Sequence, residues 1–285
     1  MPPSIDPATY LGTVHLTVSD LARAVDFYQS ALGLRVHRQD ASVAALGAGA
    51  DDLLVLVEQP GARPVRGTTG LYHFAILLPS RPDLARALRR LAETRTPLQG
   101  FADHLVSEAI YLPDPDGNGI EIYRDRPRNE WTWDGDAVRM ATDPLDIDDL
   151  LAELQGDNTP YEGMPPGTVM GHVHLHVSDL AAAHHFYCDV LGFDLIARYG
   201  GAALFVSAGR YHHHIGLNTW AGVGAPPPPP DAVGLRYFEL VLPTPAALAE
   251  VLARVEDAHI STEPHADGIL LCDPSQNGIL LRTAE

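Results

Sequence analysis

At 285 residues the chain is long enough for about two domains, and 46% hydrophobic against 20% charged residues excludes the disordered and collagen-like classes. A formal charge of −18 repels phosphate backbones and anionic headgroups. The densest basic stretch, Arg81 to Arg95, is interrupted by Asp83 and Glu93, so neither nucleic acid nor a membrane surface is expected as a partner.

No apolar run approaches the ~18 residues of a spanning helix, and the opening MPPSIDPATY lacks the basic and apolar regions of a secretory leader, so a cytoplasmic protein is expected. Two cysteines, Cys188 and Cys272, cannot build a disulfide framework or a thiolate zinc site, and both read as packed residues. Fourteen histidines, several in tight clusters, are the unusual feature.

In chain order, an alternating strand over Thr13–Val18 leads through Ser19, a candidate N-cap, into an amphipathic helix. That helix buries Leu21, Val25, Tyr28 and Leu32 and stops at Gly33. Three short strands follow, the last around Leu53–Val57. The order then repeats, with a strand over Leu71–Leu78, a helix over Asp83–Glu93 and strands ending near Glu121. Between the halves, Asp143-Pro144 reads as a helix start for Leu145–Leu154, and GMPPG (Gly163–Gly167) closes a linker to which no chemistry is assigned.

The second half is a copy of the first. VHLTVSDLARAVDFYQSALG from Val14 and VHLHVSDLAAAHHFYCDVLG from Val173 are identical at about two-thirds of positions, and the same displacement aligns DPDGNGI from Asp114 with DPSQNGI from Asp273. GLYHFAILLP from Gly70 matches GLRYFELVLP from Gly234, with the prolines 226–230 absorbing the offset as a polyproline connector. The chain is therefore four βαβββ modules, the third starting at Gly171 and the fourth at Gly234. Short strands covered by one helix per module predict an α+β fold of curled mixed sheets whose other face is an open cup.

Strand alternation sorts core from cup. Val173, Leu175 and Val177 must face the helix, which leaves His172, His174 and His176 cupward. Ile215 and Leu217 share parity with His213, leaving His212 and His214 cupward. Glu121 and Tyr123 oppose Ile120 and Ile122; His73 opposes Phe74 and Ile76; Tyr111 opposes Ile110 and Leu112. Imidazoles and a carboxylate gathered in a buried cup are costly unless they bind something, and two neutral histidines plus one carboxylate match the facial triad of non-haem Fe(II) oxygen chemistry.

At these residues the sequence resembles the vicinal oxygen chelate (glyoxalase/bleomycin resistance/dioxygenase) superfamily, and within it type I extradiol dioxygenases of the catechol 2,3-dioxygenase kind. The signature runs His104-LVSEA-Ile110-Tyr111-LP-Asp114-Pro115-Asp116-Gly117-NGI-Glu121. The superfamily resemblance covers nearly the whole chain outside the linker. It implies two tandem glyoxalase/dioxygenase-like domains, at 8–126 and 168–285, joined by a 127–167 linker with a short helix.

The resemblance further implies Fe(II), with Mn(II) also compatible, held by His73, Glu121 and His172, with His174 and His15 standing as alternatives to His172. It makes His214 the acid–base residue, with His213 one register step away, and His104 and Tyr111 the holders of substrate oxygens. His174 and His212 would line the pocket, while Trp220 reads more simply as a strand-end residue. The implied reaction is ring cleavage of a small aromatic diol by O₂, and an oligomer is compatible with it. A glyoxalase-type isomerase or lyase would want a second cup carboxylate; a ligand-sequestering binder would leave the triad without a purpose.

Modules 1 and 4 lack the expected ligands, having Thr13, Tyr237 and Leu280 at the three positions. Modules 2 and 3 are therefore expected to share one cup, within a chain or between two chains.

Overall fold

The computed structural model describes residues 4–157 and 159–284. Module 1 comprises β1 (Tyr10–Val18), α1 (Leu21–Ser30), β2 (Arg35–Gln39), β3 (Val43–Gly47) and β4 (Asp52–Glu58). Module 2 comprises β5 (Gly70–Leu77), α2 (Arg81–Glu93), β6 (Gly100–Asp103), β7 (Ser107–Pro113) and β8 (Gly119–Asp125). The linker carries a two-residue hairpin, β9 (Trp133–Asp134) and β10 (Ala137–Val138), then α3 (Ile147–Ala152).

Module 3 comprises β11 (Val169–His176), α4 (Leu180–His184, continued by a π-helical turn to Val190), β12 (Asp194–Tyr199), β13 (Ala203–Ser207) and β14 (Ile215–Asn218). Module 4 comprises β15 (Gly234–Leu242), α5 (Pro245–Asp257), β16 (Thr262–His265), β17 (Gly268–Cys272) and β18 (Gly278–Thr283). The βαβββ order thus occurs four times. Among the described residues, no helix is long and apolar enough to cross a membrane.

Strand pairing crosses the halves of the sequence. One eight-stranded sheet has the order β16-β17-β18-β15-β1-β4-β3-β2, joining modules 4 and 1; the other has the order β12-β13-β14-β11-β5-β8-β7-β6, joining modules 3 and 2. In each, two antiparallel central strands meet at the module junction, and each pairs in parallel with the last strand of its own module. Modules 2 and 3 therefore share one sheet within a single chain.

The apolar sides of the central strands, including Leu16, Phe74, Leu175 and Leu240, are buried with the helices in one continuous core. Each such side chain contributes roughly 1.5–3 kcal/mol on leaving water.

The two copies of the Asp-Pro turn are tied down identically. Asp114 accepts from the backbone N–H groups of Asp116 and Asn118 and from the Tyr28 hydroxyl of α1 at 2.9 Å. Asp273 accepts from Ser275, Asn277 and the Tyr187 hydroxyl at 3.1 Å. These bonds join modules within each half, while the sheets join modules between halves.

Local boundaries differ from expectation for identifiable reasons. The Ser19 N–H and hydroxyl are held by Asp116, at 2.8 and 2.6 Å, so Asp20 rather than Ser19 caps α1. Ser80 caps α2, which starts at Arg81 with Pro82 in its first turn. The linker helix is shorter than expected, because Asp146 rather than Asp143 accepts from its first turn. Cys272 is exposed and not packed.

Candidate metal centre

The site grows from irregularities at the junction of β5 and β11. The register passes from Met170↔Ile76 to His172↔Ala75, so Gly171 is an extra residue on β11; it then passes from His174↔His73 to Leu175↔Leu71, so Tyr72 is an extra residue on β5. Such bulges turn side chains out of simple alternation. At Gly171 any Cβ would collide with the Tyr123 hydroxyl, so glycine lets Tyr123 pass beneath and leaves His172 facing the cup. β8 lies beside β5 in parallel, pairing Ala75 with Glu121.

His73, His172 and Glu121 converge at this junction, each offering a ligand atom with all three atoms within 4.8 Å of one another. All three side chains are buried. Nε2 of His172 and Nε2 of His73 each lie 3.1 Å from the same Glu121 oxygen, Oε2. Only the His172 contact has hydrogen-bond geometry, so Nε2 of His73 is a buried polar atom without a partner.

Burial pushes His172 down to about 4, against the pull of Glu121, so its imidazole is neutral at physiological pH. Glu121 lies well below the usual carboxylate range: burial raises it, but the facing His172 and His73 outweigh that. The neutral His172, the His73 imidazole with its orphaned nitrogen and one carboxylate, aimed at a common point, fit a divalent cation of the nitrogen/oxygen-liganded kind. His15, an alternative in the sequence, lies in the other sheet against Glu239, and His174 is outside the converging set.

Beside this group, Tyr111 and His104 form a pair. Nδ1 of His104 is 2.7 Å from the Ala141 carbonyl, which can only accept, so that nitrogen carries the hydrogen; Nε2 lies 2.6 Å from the Tyr111 hydroxyl. Burial, with the Glu121 charge behind it, raises Tyr111 well above its ordinary value, so it remains a protonated donor.

The run from Tyr211 to His214 corrects the alternation argument. β14 begins only at Ile215, and the preceding residues follow a bend, so strand parity does not extend to them. His213, not His214, lines the cavity, its ring centroid 4.1 Å from that of His172. His214 points away: its Nδ1 accepts from the Ala208 N–H at 3.1 Å. His212 is fully buried behind His213 and is absent from the cavity wall. His174 does line the cavity, edge-on to His73 at 5.1 Å.

The cavity above the cluster measures about 1030 Å³, within reach of the ~300–1,000 Å³ range of small-molecule sites. Several of its residues escaped sequence reasoning. Trp133, Val138 and Met140 come from the linker, which supplies a wall of the cavity and, through Ala141, the partner of His104. The linker is thus not chemically idle. Tyr72 reaches the cavity through its bulge, and Trp220 packs edge-on to it at 5.1 Å, as a wall residue and not a bystander. Neither the linker wall nor the bulge at Tyr72 has a local sequence signal.

Positions 10–122 and 169–269 match the family model of the Glyoxalase/Bleomycin resistance protein/Dioxygenase superfamily. A Bacillus subtilis (strain 168) protein named catechol-2,3-dioxygenase is 50% identical over 277 residues, covering 95% of this chain and 96% of that protein.

Among solved structures, a Bacillus subtilis subsp. subtilis str. 168 protein superposes with TM-score 0.65 at 13% identity, covering 99% of this chain and 86% of the other. Glyoxalase I from Zea mays superposes with TM-score 0.58 at 14% identity, covering 96% and 92%. At such identities the structural likeness speaks for the fold alone.

Proposed function

The chain belongs to the Glyoxalase/Bleomycin resistance protein/Dioxygenase superfamily, and from that membership and the site we propose that it is an extradiol dioxygenase. It would cleave the ring of catechol or a related ortho-diphenol with O₂. The observation that carries this reading is the convergence of His73, His172 and Glu121, with an unpartnered buried Nε2 on His73, where His73 and Glu121 line a cavity. The 50% identity to a catechol-2,3-dioxygenase supports it.

Those three side chains would hold Fe(II), for which Mn(II) also fits the donor set. When bound, the metal would supply Lewis acidity toward the diol and a redox path to O₂.

The protein's own groups handle position and protons. His213 faces the place where a diol hydroxyl would lie, and burial among His172, His212 and His174 holds it well below the usual imidazole value, so it enters as a neutral acceptor. The Tyr111 hydroxyl can turn from His104 Nε2 to a substrate oxygen, where a preformed donor replaces lost water. Trp133, Phe205 and Trp220 wall the ring and restrict water. Orienting both reactants in one cavity converts an encounter into a positioned reaction.

Anaerobic loading with Fe(II), followed by catechol and then oxygen, tests this reading. A coloured ring-opened product that is lost in Glu121→Ala is expected; turnover independent of oxygen would instead indicate a lyase or isomerase.

A further inference from the structure

Behind the cavity wall runs a chain of hydrogen bonds that ends at His213 and whose other members have no part in the proposed reaction. Asp125, the last residue of β8, places Oδ1 2.8 Å from Nε2 of His212. Nδ1 of His212 lies 2.8 Å from Nδ1 of His213. The His212 side chain is 1% exposed, whereas that of Asp125 is 24% exposed, so the chain runs from the half-buried sheet end inward to the cavity.

Ring contacts hold it in place. His212 packs against Tyr211 with centroids 4.1 Å apart and edge-on to Trp131 at 5.4 Å. His213 packs against His172 at 4.1 Å and against Phe205 at 5.0 Å.

The hydrogens in this chain have one consistent arrangement when both imidazoles are neutral. A carboxylate only accepts, so Nε2 of His212 must carry a hydrogen; its Nδ1 is then a bare acceptor. The facing nitrogen, Nδ1 of His213, must in turn be the donor. The other His213 nitrogen, Nε2, is left bare, and no hydrogen bond to it occurs among the described residues.

We propose that Asp125 and His212 are positioning residues that fix the tautomer of His213, so that its Nε2 presents a lone pair to the cavity. The inference about tautomer stands on the hydrogen-bond geometry; its use, accepting a hydrogen bond from a diol hydroxyl, rests on the dioxygenase reading. Without the carboxylate both tautomers of His213 become accessible, and one of them points an N–H at the incoming hydroxyl. In a serine protease triad, the change from Asp to Asn at the equivalent place in such a chain leaves geometry intact but stabilises the wrong tautomer.

The experiment is long-range ¹H–¹⁵N correlation on ¹⁵N-histidine-labelled full-length protein loaded with diamagnetic Zn(II), with the His213 ring assigned by its loss in His213→Asn. The expected wild-type result is a protonated Nδ1 and a bare Nε2. In Asp125→Leu the two nitrogen shifts should move toward each other as the tautomers mix. With iron loaded, kcat on catechol should fall about 10–100-fold, the range for outer-sphere orienting partners, with KM within about 2-fold. Asp125→Glu should restore part of the rate.

Should Asp125→Leu fail to fold, His212→Phe keeps the ring packing, removes both hydrogen bonds and should release the same tautomer. A wild-type His213 already protonated at Nε2, or an unchanged tautomer in a folded Asp125→Leu or His212→Phe, overturns the proposal. A locked tautomer in a protein that never cleaves catechol would instead sink the dioxygenase reading and leave the lock standing.

Discussion

The two sheets descend from one repeat, yet they treat a buried carboxylate in opposite ways. In the sheet of modules 2 and 3, Glu121 faces two imidazoles, each with one ring nitrogen left unpartnered: Nε2 of His73, which points at Glu121, and Nδ1 of His172. In the sheet of modules 1 and 4, the three equivalent positions hold Thr13, Tyr237 and Leu280, and a different carboxylate, Glu239, occupies the cup. Glu239 accepts from Arg282 Nε at 2.7 Å and from the Thr13 N–H at 3.3 Å, and lies 3.2 Å from Nε2 of His15. Burial raises Glu239, but the bonds from His15 and Arg282 bring it below the usual value.

Tyr237 closes that cup by stacking on His15 with centroids 4.1 Å apart. One cup therefore carries its counter-cation as a covalent part of the chain; the other, on the proposed reading, would take one from outside. A buried charge needs a partner in either case, and substitutions at a few strand positions decide which kind.

Paired substitutions give the sharpest test. Glu121→Ala should remove metal from the purified protein and lower turnover by more than the ~10–100-fold typical of an outer-sphere partner. Glu239→Ala should leave metal content and turnover unchanged while lowering stability by about 1–3 kcal/mol, because Arg282 loses its carboxylate. Metal analysis, initial rates and denaturant melts on both variants check the contrast. Equal loss of activity in the two would mean that the second cup is not merely structural.

Much of this contrast was legible in the sequence. The repeat and the four modules follow from aligned residues, because a duplicated chain exposes its own substitutions. The absence of ligands from modules 1 and 4, and with it the pairing of modules 2 and 3, followed only once the resemblance implied which positions carry ligands. What alternation missed are departures from alternation. Tyr72 and Gly171 sit in bulges, where two residues oppose one, and His213 precedes the strand whose parity was used to place it. The role of the linker was illegible for another reason: Trp133 and Met140 meet the cavity through a tertiary approach that no local pattern records.

Metal and protons should then separate the cups by stability. A cation bound at 100 times its Kd stabilises by about 2.7 kcal/mol, so the melting temperature of the metal-free protein should rise by several degrees on adding Fe(II) or Mn(II), and that of Glu121→Ala should not.

Acid should act in the other direction. Burial pushes His172 down to about 4 and His214 down to about 3, against about 6.5 in an unfolded chain. Below pH 6.5 the unfolded metal-free chain takes up protons that the folded one refuses. The stability present above pH 6.5 is thus lost as pH falls toward 3, by up to about 1.4 kcal/mol per pH unit for each such imidazole. Melts between pH 7 and 4 should show that slope, shallower in His214→Asn; a flat profile would mean that these rings protonate freely in the folded state.

The smallest expected effect asks whether the two halves are equally well tied. Tyr28→Phe removes the hydroxyl from Asp114, and Tyr187→Phe removes it from Asp273, with the aromatic packing kept. Both carboxyls are raised by burial, with their hydrogen bonds opposing that, so each variant leaves a buried acceptor short of one donor. The cost should be about 1–3 kcal/mol in each.

The consequences should nevertheless differ. Asp114 sits at the turn between β7 and β8, which fixes the register of Glu121, while the turn at Asp273 leads into β18 of the sheet without the triad. Tyr28→Phe should therefore weaken metal retention as well as stability, whereas Tyr187→Phe should affect stability alone. Metal retention against a chelator, measured beside denaturant melts, distinguishes the two; equal retention in both variants would show that the register of β8 is held by its own ladder and not by the turn.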